Sequence, residues 1–272
     1  MKLQLTFLFS LISFLYFSQN HRFIYEFKHK TDTISQKEGK GEWVLDINNG
    51  NVQFYEFMAL QIDSTNQNSD GYSTYSSSFP KLKRKLSSPK NSNYYLLSDS
   101  YFHYETDDNI VWKISNETKQ KDKYKLQKAT ADFAGRQWEA WFTTDLPFSE
   151  GPYKFNNLPG LVVEVRDSQN YFSFELSRIQ NPKKVNENIV ETLFKKKPLK
   201  ISYPKYKEMM IANYNDPYNR FRSMRPGTWS IGREDETYVD TIEGLNKITK
   251  EEQEIILKNN NEIEKDKTIF YK

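Results

Sequence analysis

The chain has 272 residues, with 39 basic and 36 acidic side chains, a formal net charge of +3 and no cysteine. So even a balance does not fit a dedicated nucleic-acid binder, which gathers Lys and Arg on one face to displace counterions. Without Cys there are no disulfides, thiolate zinc sites, iron–sulfur clusters, Cys nucleophile or Cys-linked lipid anchor.

Lys2 opens a short positive region, and residues 3–17 are strongly apolar until Ser18, Gln19 and Asn20 end the run. This is the length of a signal h-region and shorter than the roughly 20 residues of a membrane span. Residues 1–18 therefore read as a signal peptide, which leaves about 250 mature residues. Bulky Tyr16 and Phe17 sit where small residues favour cleavage, so an uncleaved anchor is the alternative. The expected location is the periplasm, the outer-membrane surface or the exterior. No later segment is apolar enough to span a bilayer.

Residues 19–200 read as an antiparallel β domain. Aromatics make up 15% of the chain, with 19 Phe and 18 Tyr, and such residues suit half-buried pleated surfaces. Period-2 runs recur at Phe23/Tyr25/Phe27, Trp43/Leu45/Ile47, Ile110/Trp112/Ile114, Trp138/Ala140/Phe142, Val163/Val165 and Phe172/Phe174/Leu176. Such alternation places one face on a core and the other toward water. Asn48-Asn49-Gly50, Asp107-Asp108-Asn109 and Asp167-Ser168-Gln169-Asn170 read as hairpin turns. Residues 64–78, rich in Ser, Asn, Thr and Gln, read as a loop. The basic runs at 81–85 and 195–197 read as solvated charge.

Residues 201–272 read as a helix-containing extension packed on the same domain. Tyr203, Tyr206, Met209, Met210 and Tyr214 recur at helical spacing around Pro204. Thr249, with Glu251 and Glu252, is a candidate start for a second helix carrying Ile255, Ile256 and Ile263. There is no internal repeat. The expected fold is mainly β, a β-rich α+β class: a curved antiparallel sheet or half-barrel with one or two C-terminal helices.

Signals for chemistry are sparse. His21, His29 and His103 lack metal-site spacing. There is no G-x-S-x-G elbow, Walker loop or G-x-G-x-x-G. Asp99, Glu139 and Asp145 are acid–base candidates only as three among 36 acids. Asn116-Glu117-Thr118 matches an N-glycosylation sequon, and Asp32-Thr33-Ile34, Asp63-Ser64-Thr65 and Asp240-Thr241-Ile242 resemble a bacterial O-glycosylation acceptor. No catalytic residue, cofactor or metal ligand is assigned.

The most specific stretch is 127–176. Residues 132–135 turn one strand into the next, and Trp138 and Phe142 face opposite to Trp141. Gly151-Pro152 and Pro159-Gly160 bracket residues 153–158, and Leu158-Pro159-Gly160-Leu161 fits a type II turn feeding a buried strand. With Gly135-Arg136, Trp138, Trp141, Gly151-Pro152-Tyr153-Lys154-Phe155 and Leu158-Pro159-Gly160-Leu161 in this order, the stretch resembles the GLPGLI family of exported proteins from Gram-negative bacteria. Asn157 stands in place of the motif's first Gly and Val162 in place of its last Ile, and Leu126 stands where many relatives have Cys. Asn tolerates positive φ best among non-glycine residues, so the turn survives. The family's biochemical role is unassigned. The resemblance implies export and a β fold, with Gly135, Arg136, Trp138, Trp141, Gly151, Pro152, Leu158, Pro159, Gly160 and Leu161 as a structural motif.

Two functions are consistent with this sequence. One is a non-enzymatic binding or assembly module for an envelope component or ligand. The other is a carboxylate-dependent hydrolase acting on peptide or glycan, which needs two acids about 5–10 Å apart in a cleft.

Overall fold

The protein's structure, a computed structural model, describes residues 20–271 apart from 36, 72, 76, 226 and 234. The expected signal segment, 1–18, lies outside the described residues.

Twelve strands form one sheet. They are β1 (His21–His29), β2 (Gly39–Asn48), β3 (Asn51–Glu56), β4 (Lys81–Lys85), β5 (Lys90–Leu97), β6 (Ser100–Asp107), β7 (Lys113–Lys121), β8 (Tyr124–Phe133), β9 (Arg136–Thr143), β10 (Leu161–Asp167), β11 (Phe172–Gln180) and β12 (Leu199–Lys200). Their spatial order is β12-β6-β5-β4-β3-β2-β1-β11-β10-β9-β8-β7. Only the short β12 runs parallel to its neighbour, β6. A second, two-stranded sheet pairs β13 (Ile231–Gly232) with β14 (Tyr238–Val239).

The connection from β6 to β7 fixes the curvature. Laid flat at about 4.8 Å per strand, the sheet from β6 to β7 would be about 48 Å wide. The link 108–112 reaches only about 20 Å when extended. The sheet must therefore coil until its edges approach. It does not close, because β6 and β7 form no ladder.

The inner face carries the main core. Phe23, Tyr25 and Phe27 meet Trp43, Leu45, Phe54, Trp138, Phe142 and Phe174 there. The loop between β9 and β10 plugs this core with Tyr153, Phe155 and Leu158. The outer face is only partly wet. Ile24, Val44 and Tyr55 are covered by helix α2 (Ile189–Thr192) and the following Leu193 and Phe194, with Ala59 of helix α1 (Met58–Gln67) alongside. Each such apolar side chain contributes about 1.5–3 kcal/mol when fully buried. Across β7 to β11 the outer face carries charge instead, with Glu164 bridging Lys119 and Lys121, and Glu139 bridging Lys128 and Arg166.

Helix α3 (Tyr203–Asn215) starts at Ser202, whose hydroxyl accepts from Lys205 N, with Pro204 in the first turn. Tyr203, Tyr206, Met209 and Met210 pack against Tyr95, Phe102 and Tyr104 on the inner face of β5 and β6. A one-turn helix α4 (Asn219–Arg222) and the long α5 (Ile242–Lys258) follow.

Several expectations need correction. Ile110 and Trp112 alternate like a strand but lie in the link that crosses the sheet opening, where no partner strand is present. For the same reason Asp107-Asp108-Asn109 is not a hairpin turn. A β-bulge at Val163 places Val162 and Val165 in the core, so the expected pair Val163/Val165 does not share a face. Helix α1 occupies part of the expected loop 64–78. Helix α5 begins after the cap Thr241, not at Thr249, and Ile263 lies beyond it. Asn48-Asn49-Gly50 does form the tight β2–β3 hairpin, with Asn49 at φ 46° and Gly50 at φ 71°.

Candidate functional site

The chain after α5 returns to the mouth of the coiled sheet. Ile263 enters the main core, and Asn261 donates to Lys30 O at 2.7 Å. Three buried cations, Arg84 and Arg136 of the sheet and Lys154 of the β9–β10 loop, fix this region and that loop. Arg136, at the start of β9, pairs with Asp167 at 3.0 Å and donates to Ile263 O at 3.1 Å, to Glu262 O and to the Asn261 side chain. Lys154, fully buried, pairs with Glu264 at 2.8 Å and Asp108 at 3.1 Å. Lys267 completes this group, at 2.9 Å from Glu264 and 3.2 Å from Asp108. Burial opposes the charge on Asp108, but the two ammonium groups hold its carboxyl below the usual range.

The loop itself is fixed by a third ion pair. Arg84 of β4 meets Glu150 at 2.6 Å, with both side chains fully buried. Arg84 also donates to Tyr153 O at 2.7 Å and Gly151 O at 3.2 Å. Tyr153 is held at φ 54°, a conformation rare for a bulky residue. Its ring stacks parallel to Phe174. Burial, then the charges of Glu264 and Asp108, push its hydroxyl well above the usual tyrosine range.

These elements enclose a cavity of about 430 Å3 between the sheet, α3, α5 and the chain end. Six tyrosines line it: Tyr95, Tyr104, Tyr153, Tyr203, Tyr206 and Tyr271. Glu252, Glu262 and Glu264 contribute carboxyls, and Lys267 an ammonium. Glu262 is solvent-accessible yet has protein on most sides, as befits a group facing a cavity. Burial first, and then the charge of Glu264, raise its carboxyl above the usual range, against the pull of Arg136. A cavity of this size, lined by aromatic and aliphatic side chains with several converging polar groups, has the anatomy of a small-ligand site.

The residues of the sequence motif divide between packing and this site. Arg136, Gly151 and Pro152 belong to the elements just described, and Trp138, Leu158 and Leu161 are buried behind them. Gly135 abuts Lys265, whose N–H bonds Ala134 O at 2.9 Å. Trp141 lies on the outer face under Lys119, at 4.4 Å. The Leu158-Pro159-Gly160-Leu161 step is not a type II turn. Gly160 N bonds Leu158 O at 2.8 Å, a three-residue turn centred on Pro159, and Leu161 N bonds Leu146 O at 3.0 Å. Gly160 has φ 156°, and a Cβ there would overlap the Thr143 carbonyl.

A family model described as "Protein of unknown function (Porph_ging)" matches residues 132–164. No curated protein matches the chain. Two solved structures of PNGF-II, in space groups C2 and P21, are similar to it. The first has a TM-score of 0.52 and 17% identity, and covers 71% of this chain. The second has a TM-score of 0.51 and 16% identity over the same share. The match takes in only 33% of the PNGF-II chain, and at this identity the likeness concerns the fold alone. The family-model match contains Tyr153, which lines the cavity, Arg136 and Lys154, which hold the 261–264 segment, and Glu150, which anchors the loop through Arg84.

The other sequence candidates are dispersed. Asp99 pairs with Arg220 in the β5–β6 turn, Glu139 with Arg166 on the outer face, and Asp145 follows β9. His21 packs on Phe148, His29 on Phe27 and His103 on Tyr94. Among the described residues no three His, Cys, Asp or Glu side chains group as a metal site. Within the acceptor-like triplets, Asp63 and Ser64 lie inside α1 and Thr241 caps α5. Glu262 and Glu264 escaped the sequence reading; the one signal for them is the polar–apolar alternation of Asn261-Glu262-Ile263-Glu264. No helix among the described residues is long and apolar enough to cross a membrane. A second cleft, of about 1150 Å3, opens on the outer face beside α1 and residues 184–198, but its acids are already engaged: Glu191 by Lys83 and Tyr94, and Asp63 by Asn186.

Proposed function

We propose that this is an exported envelope protein of the GLPGLI family whose coiled sheet works as a non-enzymatic binding module. Its ligand site is the tyrosine-lined cavity closed by the C-terminal segment. The supporting observation is that cavity: buried ion pairs rigidly hold its walls, yet an accessible carboxyl, Glu262, faces into it. The signal-like residues 1–18 support export to the periplasm, the outer-membrane surface or the exterior.

Native mass spectrometry of the mature protein after incubation with envelope small-molecule extract tests this reading. A retained adduct that disappears in Ile256→Trp, which fills the cavity, is the expected result. Absence of any adduct, or an adduct indifferent to that change, would refute it.

One observation favours a second reading, a hydrolase. Glu262 has a raised pKa, as a general acid does, while Glu264, two positions on, is ion-paired. Two carboxyls in unlike environments are the usual arrangement for acid and base roles. Release of fragments from peptidoglycan or glycoprotein, abolished by both Glu262→Gln and Glu264→Gln, would establish it over pure binding.

A further inference from the structure

The ions buried around the cavity are matched, whereas two carboxyls of its lining are not. Arg84 offsets Glu150 and Arg136 offsets Asp167. Lys154 and Lys267 together offset Asp108 and Glu264. Glu262 forms no ion pair among the described residues, and neither does Glu252 across the cavity on α5. The lining thus presents three carboxyls to one ammonium, and that ammonium is already shared between Glu264 and Asp108.

We infer that the cavity takes a cationic amine, its ammonium group set against Glu262 and enclosed by tyrosine rings. This rests on the cavity being the ligand site. Two physical arguments select a cation over a sugar or an anion. Aromatic rings carry negative faces that attract ammonium groups, an attraction that grows as water is excluded. A cation beside Glu262 also relieves both causes of its raised pKa, because it solvates the carboxylate and screens it from Glu264. A neutral sugar would leave that repulsion in place, and an anion would add to it. The volume, about 430 Å3, fits a ligand the size of choline or a short polyamine.

Calorimetric titration of the mature protein with choline, putrescine, methyl α-glucoside and succinate tests the inference. Choline or putrescine is expected to bind, with affinity about tenfold or more weaker in Glu262→Gln, the loss of one charge-assisted contact. Glu262→Asp should restore part of that loss. Because the Glu262 carboxyl bonds nothing else in the described structure, Glu262→Gln should melt like the wild type, which separates the effect from misfolding. An amine bound equally well by Glu262→Gln would overturn the inference. So would binding of the glucoside or succinate in preference to the amines; if that binding were lost in Ile256→Trp, the cavity would still stand as a ligand site. No binding of any probe would overturn the inference, and an extract-derived adduct in the mass-spectrometric experiment would then show whether the cavity reading fell with it.

Discussion

Replacing Arg136 with Met tests whether the motif grips the C-terminal segment. The substitution keeps an unbranched apolar stem beneath Phe172, whose ring lies 4.6 Å from the guanidinium. It removes the partner of buried Asp167, and breaking a buried pair from one side costs about 3–5 kcal/mol. Asp167 still accepts from Tyr171 N at 2.7 Å and Phe172 N at 2.8 Å, so the lower end, about 3 kcal/mol, applies. For a domain of this size that is a fall in Tm of about 6–12 °C. The bonds to Asn261, Glu262 and Ile263 act locally, since a freed segment can turn its carbonyls to water. Hydrogen exchange should therefore rise most in peptides covering 259–267, where Asn261 N bonds Thr31 O and Lys265 N bonds Ala134 O, and least in β1 and β2. A Tm within about 2 °C of wild type with unchanged exchange at 259–267 would refute the grip.

Gly160→Ala should lower stability by about 2–4 kcal/mol, because its Cβ would lie 2.6 Å from Thr143 C and 3.0 Å from Thr144 N; denaturant melts would show the loss. Asn157→Gly, at φ 69°, should stay within about 0.5 kcal/mol of wild type in the same melts. Burial under Tyr75 and Phe194 lowers the Lys81 ammonium to about 8, against the pull of Glu56. Between about pH 8 and pH 10 the unfolded chain binds the extra proton, so stability should rise by about 2 kcal/mol across that window, a rise absent in Lys81→Met. N-terminal sequencing of the exported protein should begin between Gln19 and His21; a start at Met1 would refute signal cleavage.

What could be read from the sequence was local. Phe23/Tyr25/Phe27 and Trp43/Leu45/Ile47 revealed β1 and β2 because their side-chain period is that of a strand. Ser202-Tyr203-Pro204 revealed α3 because its cap chemistry lies within one turn. Where tertiary structure overrode local pattern, the reading failed. The link 108–112 has strand periodicity but spans a gap, and the Val163 bulge shifts the inward set of β10 by one residue. Ile24 and Val44 alternate as wet-face residues yet are buried, because α2 lands on them from more than a hundred positions away. The cavity was invisible for the same reason. Lys154 and Glu264 are 110 positions apart and Arg136 and Asn261 are 125, and in a chain with 36 acids neither Glu262 nor Glu264 announces itself.

The buried charges are better understood as positioning devices than as sources of stability. Apolar residues of like volume in place of a buried ion pair are often neutral or stabilising, so the fully enclosed Arg84–Glu150 pair is weak support for the fold as such. Its geometry does something an apolar pair cannot. From one planar fork Arg84 reaches Glu150, Gly151 O and Tyr153 O, fixing three residues around a backbone turned to φ 54° at Tyr153. Strain of that kind, about 1–3 kcal/mol, persists only where the surroundings over-determine it. Relaxing Tyr153 would swing its ring off Phe174 and withdraw its hydroxyl from the neighbourhood of Glu264 and Glu262. Lys154, the next residue, reaches Asp108 and Glu264 with its ammonium 5.4 Å from the centre of the Tyr153 ring, so one strained turn sets a tyrosine toward the cavity and ties down the segment that closes it. A chain with no disulfide and no metal group among its described residues has thus committed three buried cations, Arg84, Arg136 and Lys154, to the loop and the tail that form this site.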